Sequence, residues 1–235
     1  MHSRVRLILL VCTLVAVLAA CAGSAGGATD SSGAFPSTAN HPQPQEETFQ
    51  GCPPGGDGGD HDLNMLKNRI DNGDNGQFQD VALSDLLQLT WPQSVERAQR
   101  ANWSSGDLAT IQQTEGVAIR TTGYLVGVRH EGTESTNCHS TDYRDFHMWL
   151  VVNSTDTRAS SMVVEVAPRV RDMRPGWDDS TLMGLVGQQV RISGWLMFDQ
   201  EHPEQLGKTR ATLWEIHPII HIEVNQGGGW TSIDG

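Results

Sequence analysis

SSMVVEVAPRVRDMRPGWDDSTLMGLVGQQVRISGWLMFD, residues 160–199, is the stretch that decides the fold. It opens with a period-two run from Ser160 to Arg169. It then passes through Asp178 to Gly187, where an aspartate cap and a closing glycine bracket a short helix, and returns to period two from Val190 to Asp199. Upstream, Gly116 to Arg129 (GVAIRTTGYLVGVR) reads as a long strand in which Gly123 and Gly127 tolerate a bend or bulge. Asp145 to Asn153 (DFHMWLVVN) reads as a second strand, and Ala211 to Val224 (ATLWEIHPIIHIEV) as a fifth, interrupted at Pro218. Three strands, a helix and two strands predict a mainly-β, five-stranded OB-fold-like Greek-key barrel with its helix between strands three and four. An SH3-like barrel or a small sandwich shares the strand count but not the placed helix.

The barrel therefore occupies residues 111–225, with 226–235 as a flexible tail. Before it, residues 51–110 combine a Gly/Asp-rich segment with a short helical extension. Val81, Leu83, Leu86, Leu87 and Leu89 recur at helical spacing after a cap at Asp80 or Ser84; Trp91-Pro92 breaks the run, and Ser94 to Trp103 resumes it. Asp71, Gly73, Asp74 and Gly76 invite a calcium loop, but Ala82 stands where the bidentate glutamate belongs, so an ordinary acidic turn is the better expectation. Residues 21–50 are Gly, Ser, Ala, Thr, Pro and Gln with few aliphatic side chains. They bury too little to offset their ordering entropy and read as a tether.

The chain carries 28 acidic and 16 basic residues, a net charge of −12. Such a surface repels phosphate backbones and makes nucleic acid an unlikely partner. Residues 1–20 have the layout of a secretory signal, with Arg4 and Arg6 before an apolar run from Leu7 to Leu18 that is too short to span a bilayer comfortably.

The end of that signal, Leu18-Ala19-Ala20-Cys21, resembles the lipobox of bacterial lipoproteins. The resemblance implies cleavage before Cys21, lipidation of Cys21 with palmitate-like chains, and attachment to the cell envelope through lipid. With Ala22 after the cysteine, the outer membrane is the expected site where two membranes exist. Cys12 leaves with the signal, so Cys52 and Cys138 remain as the mature thiols, and in an oxidising compartment they are expected to pair. A bridge of that span is worth ~4 kcal/mol on chain-entropy grounds.

The segments TNCHSTDYRDFHMWLV (136–151), VRISGWLMFDQEHPEQLGKTR (190–210) and WEIHP (214–218), with GCPPGGDGGDHDLNMLKNR (51–69), resemble a set of uncharacterised exported bacterial proteins. The resemblance implies no activity. Members often have a cysteine two positions before the one matching Cys138. Thr136 stands there in this chain, which again points to Cys52 as the partner.

Strand alternation splits each strand into two faces. Phe146, Met148, Leu150 and Val152 face the core, as do Met162, Val164 and Val166, then Ile192, Leu196 and Phe198, then Trp214 and Ile216. The exterior receives His147, Trp149, Glu165, Arg191, Trp195, Asp199, Glu215 and His217. OB-folds bind ligands on the exterior of strands two and three, between the loops that here run Glu131 to Arg144 and Gln200 to Arg210. His147, Trp149, Glu165, Arg210, Glu215 and His217 are therefore expected to converge.

Three chemistries suit that patch. One is a small polar or sugar-like ligand, with Trp149 as stacking platform. A divalent metal is the second, held by donors among His139, His147, His202, His217 and Glu165. The third is hydrolysis, with Glu165 or His217 as general base and Arg210 stabilising an anion. A tethered module that meets another envelope protein is a further, structural expectation, and Glu215 and His217 could equally be buried partners of Arg169 or Arg191.

Overall fold

The computed structural model describes residues 48–70 and 78–234. The signal, Cys21, most of the tether and the Asp71–Gly76 turn lie outside the described residues. In chain order the elements are α1 (His61–Lys67), β1 (Gln79–Asp80), α2 (Leu83–Leu86), α3 (Ser105–Gln112), β2 (Ala118–His130), β3 (Phe146–Val151), β4 (Met162–Val166), α4 (Pro168–Asp172), α5 (Asp179–Met183), β5 (Gln189–Phe198), β6 (Trp214–Asn225) and β7 (Trp230–Ser232). Strands β2 to β6 pair in the order β2-β3-β4-β6-β5, and β5 returns to β2, closing the barrel. Only β4 and β6 among these run parallel, which is the mixed pairing that the OB-like order requires. Among the described residues no helix is long and apolar enough to cross a membrane.

Closure depends on β2, which serves two partners. Ala118 to Tyr124 pairs with β5, and Tyr124 to His130 pairs with β3. At the handover a Cβ on Gly123 would lie 2.6 Å from the Val151 carbonyl oxygen, so only glycine lets the strands approach there. A bulge follows between Leu125 and Gly127.

The alternation holds on the inner face: Phe146, Met148, Leu150, Met162, Val164, Val166, Ile192, Leu196, Phe198, Trp214 and Ile216 all join one buried cluster. Val152 does not. The strand ends at Val151, and Val152 is 40% exposed. Asp178 caps α5 by accepting from the Thr181 amide at 2.8 Å, and Gly187 turns the chain at φ +83°.

Several local expectations need correction. The helical extension is shorter and more broken: α2 has no side-chain cap, Gln93–Val95 and Arg100–Asn102 are single 3₁₀ turns, and α3 begins later, capped by Ser104. Two short helices, rather than one, fill the β4–β5 connection, because Pro168 ends the strand and starts α4. The tail is not loose either. Trp230–Ser232 pairs with β6, and Asp234 accepts from the indole N–H of the buried Trp177 at 3.0 Å.

The N-terminal segment covers the barrel exterior. Leu63 and Leu66 of α1 pack on Met197 of β5. A seven-residue helix is too short to persist alone. Side chains anchor it: Asp60 Oδ1 accepts the Asp62 and Leu63 amides, while its Oδ2 accepts from the Arg100 amide and Gln200 Nε2. Asn68 donates to the Pro54 and Thr136 carbonyls, and Cys52 and Cys138 form the expected disulfide, with Cα atoms 5.7 Å apart.

Beneath α3, Arg100 and Glu115 form a buried bidentate pair (2.6 and 2.7 Å). Arg100 also donates to the Phe198 carbonyl, and Glu115 accepts the Phe198 amide. Removing one member strands a buried charge, at a cost of about 3–5 kcal/mol. Urea unfolding should show that loss for Arg100→Met, and a smaller loss for Arg100→Met combined with Glu115→Leu, because the double variant leaves no unpaired ion.

Candidate metal centre

The exterior face of β3, β4 and β6 lies under the cover. His147 on β3 is in register with Glu165 on β4 and with Arg129 on β2. Glu215 and His217 follow on β6, which pairs with β4 through Val163 and Glu215. The β2–β3 loop supplies Glu131 and Asp145 at its two ends, joined where the Glu131 amide donates to the Asp145 carbonyl at 2.8 Å. Lys67 reaches in from α1 and donates to Glu134 at 3.0 Å. Arg210, from the β5–β6 loop, donates through Nη1 to Asp199 and Glu215, both at 2.7 Å.

At the centre, His147 Nδ1 lies 2.9 Å from Glu131 Oε1 and 2.7 Å from Glu165 Oε1, so its proton is shared between two carboxylates. The second oxygen of Glu165 lies 3.2 Å from His217 Nδ1, and Asp145 Oδ2 lies 3.9 Å from His217 Nε2. Glu131, His147 and Glu165 form one group whose ligand atoms all lie within 4.8 Å of one another, and Asp145, Glu165 and His217 form a second. Both groups can chelate a divalent ion, with imidazole and carboxylate donors of the kind zinc and manganese accept. The first group borders a cavity of about 50 Å³ that the exposed Arg129 and the partly exposed His202 and Gln205 also line, whereas Asp145 and His217 of the second lie behind it.

Polar satisfaction is incomplete here. His147 Nε2, both ring nitrogens of His217, Asp145 Oδ2 and Arg210 Nε are buried without an aligned hydrogen-bond partner. Charge is unbalanced as well. Among the described residues, the permanent cations that line this site beside Glu131, Glu134, Asp145, Glu165, Asp199 and Glu215 are Lys67, Arg129 and Arg210. The histidines respond. Burial alone would lower His147, yet the Glu165 charge and the bonds to Glu131 and Glu165 hold it up at about 9. The hydrogen bond to Asp199 raises His202 to about 9. Burial raises Glu131, but the His147 bond and charge outweigh it and bring it down to about 2. Burial, reinforced by Glu134 and Glu165, lifts Asp145 to about 7.

The convergence of His147, Glu165, Arg210, Glu215 and His217 is as the alternation predicts, but the face is enclosed. His217 is 1% exposed and Arg210 1%. Trp149 offers no open stacking surface: it is 2% exposed, and the Arg158 guanidinium lies 3.8 Å from its ring centre. Arg210 is held by two carboxylates and not by Glu165. His139 stands apart, exposed beside Asp57, and His202 lines the mouth bound to Asp199 without joining either ligand group. Glu215 meets Arg210 and His217 meets Glu165, while Arg169 donates to the Cys52 carbonyl and Arg191 pairs with Glu223.

Glu131, Asp145 and Lys67 escaped the sequence reading. Asp145 was detectable, since it continues the outward alternation of His147 and Trp149 one step back. Lys67 was not, because nothing local indicates that α1 folds over this face. Comparison with known proteins brings no relative: no family model, no curated protein and no solved structure matches the chain.

These groups set a pH profile for the metal-free protein. Raised histidines stabilise fully below about pH 6.5, their unfolded value, and that contribution is lost as pH rises towards 9. Asp145 acts in the same direction between its unfolded value and about 7. Glu131, being lowered, stabilises above about pH 4.5 and loses that contribution as pH falls to 2. The melting temperature measured in chelator should therefore peak between roughly pH 4.5 and 6.5 and fall by pH 9. His202→Asn should flatten part of the alkaline decline. A melting temperature that rises from pH 6.5 to 9 would contradict the charge pattern.

Proposed function

We propose that this chain is a lipid-anchored protein of the bacterial cell envelope whose barrel binds a divalent transition-metal ion at Glu131, His147 and Glu165. The observation that carries the metal is His147 Nδ1 held between two carboxylates inside a cavity too small for a sugar. A proton on Nδ1 holds those carboxylates together; a divalent ion would do the same with more charge and would offset the excess of carboxylates around it. Binding must expel that proton, so affinity rises with pH up to about 9.

Metal-dependent hydrolysis is the next function this geometry favours, on one observation. The outer group supplies three protein ligands and borders the cavity, as catalytic sites that keep a coordination position open do. An ion bound there would supply an acidified water. Arg129 and Lys67 line the same cavity with positive charge, and Glu131, only half-buried, lies nearest to solvent among the three ligands.

The lipid anchor is supported by the signal layout and the Leu18–Cys21 motif. The acidic surface argues against nucleic acid as a partner.

Titration of chelator-stripped protein with Zn²⁺ in a calorimeter tests the metal. Binding should be saturable, with proton release at pH 7 revealed by a heat that depends on the buffer. Glu131→Gln, at a half-buried ligand, should keep the fold and weaken binding by roughly a hundredfold, about 2.7 kcal/mol. Unchanged affinity in that variant would remove Glu131 from the site.

The anchor has its own test. The intact mass of the membrane-extracted wild type should show a chain that begins at Cys21 and carries acyl chains, whereas Cys21→Ala should keep its signal and carry none. A wild-type chain without acyl chains on Cys21 would overturn the anchor.

A further inference from the structure

The inner group, Asp145, Glu165 and His217, is not used by the outer site except through Glu165, and three of its polar atoms make no aligned hydrogen bond. His217 is 1% exposed and neither ring nitrogen makes an aligned hydrogen bond. Asp145 is equally buried; Asn137 donates to its Oδ1 at 3.2 Å, which orients the carboxylate and leaves Oδ2 unpartnered towards His217. A buried imidazole and carboxylate with polar atoms left unbonded carry an uncompensated loss of hydration. Such atoms call for a ligand that the folded chain does not itself supply.

The spacing fits a cation better than a hydrogen bond. At 3.9 Å, Asp145 Oδ2 and His217 Nε2 are too far apart to share a proton. Two donors on one ion, each about 2.0–2.2 Å from it at a tetrahedral angle, sit roughly 3.4 Å apart, a small adjustment from the distance observed. Glu165 completes the group: its Oε2 lies 3.2 Å from His217 Nδ1, and a ligand atom from each of the three residues lies within 4.8 Å of the other two. Its Oε1 accepts from His147 in the outer group, while its Oε2 faces His217 in the inner one. One carboxylate thus presents one oxygen to each group.

We propose that the site is dinuclear: a second divalent ion binds at Asp145 and His217, and Glu165 bridges it to the ion held by Glu131 and His147. This rests on the metal-binding function proposed above and extends it to a pair of ions. Six carboxylates against Lys67, Arg129 and Arg210 leave an excess of three, which one divalent ion offsets only in part and two offset with the histidines neutral, as ligation requires. The bridging role also accounts for Glu165 being the one residue common to both groups.

Metal content of the full mature chain, loaded with Zn²⁺ and freed of excess, separates the outcomes. Native mass spectrometry should find two ions on the wild type and one on Asp145→Asn, a near-isosteric change at the inner group only. One ion on both proteins overturns the pair while leaving the single outer site standing. One ion on the wild type and none on a folded Asp145→Asn also overturns it, because both groups then serve a single ion. No ion on the wild type overturns the metal-binding function itself. A second readout needs no variant: electron paramagnetic resonance of the Mn²⁺-loaded wild type should show a spin-coupled pair, and an isolated six-line Mn²⁺ spectrum at saturation would overturn the bridge.

Discussion

An ion taken out of water is stable only beside opposite charge, and this constraint shapes the exterior of the barrel. Without a cover, the outward residues of β3, β4 and β6 would be solvated and need no partners. With α1 and the preceding segment laid over them, Glu165, Glu215, Asp199 and Asp145 become buried carboxylates, and each must be answered locally. Arg210 from the β5–β6 loop answers Asp199 and Glu215, and Lys67 from the cover pairs with Glu134 beside them. The histidines answer others by holding protons at pH values where a free imidazole would lose them.

The cover is held by many small polar contacts more than by apolar burial. Leu63, Leu66 and Met197 form a cluster separate from the main core, too small to hold a seven-residue helix by itself. Asp60, Asn64 and Asn68 convert the Gly/Pro-rich backbone around them into hydrogen-bonded structure, and the disulfide ties Cys52 to the β2–β3 loop. Thr136 belongs to the same arrangement, with its carbonyl accepting from Asn68 and its hydroxyl donating to Asn64. Cover and loop therefore form one unit. Glu131 and Asp145, at the base of that loop, take their positions from it, which couples the ligand geometry to the disulfide although neither cysteine touches the site.

The period-two runs made the barrel legible because each strand of an enclosed barrel has one face that must be apolar. The same alternation turned His147, Glu165, Glu215 and His217 to the other face, and they do meet there. Its failures share a cause. Val152 was assigned to the core by parity alone, but pairing ends one residue earlier. Alternation offers Trp149 as a stacking platform because it reports which side of a sheet a residue occupies, and says nothing of what lies on that side; Arg158, from the β3–β4 turn, covers it. The cover itself was hidden in a sequence rich in Gly, Pro and Asp. Such composition reads as loop, and here its order comes from side-chain-to-backbone bonds that leave no periodic trace.

Two buried charge clusters in one molecule show what separates a structural pair from a site. Arg100 and Glu115 match one cation to one carboxylate, bidentate, with the Phe198 backbone taking further capacity and only Arg100 Nε left over. Such a pair is closed, and there is nothing for a ligand to add. Around Glu165 the carboxylates outnumber the permanent cations, five buried polar atoms lack an aligned hydrogen bond, and a cavity reaches Glu131, His147, Glu165 and Arg210. Burial makes each of those deficits costly, so an arrangement that only needed to fold would gain by replacing His217 and Asp145 with apolar side chains of similar volume. Ionisable groups there, with donors close enough to hold a cation and one carboxylate common to two groups, leave open the capacity that the Arg100–Glu115 pair has already used up.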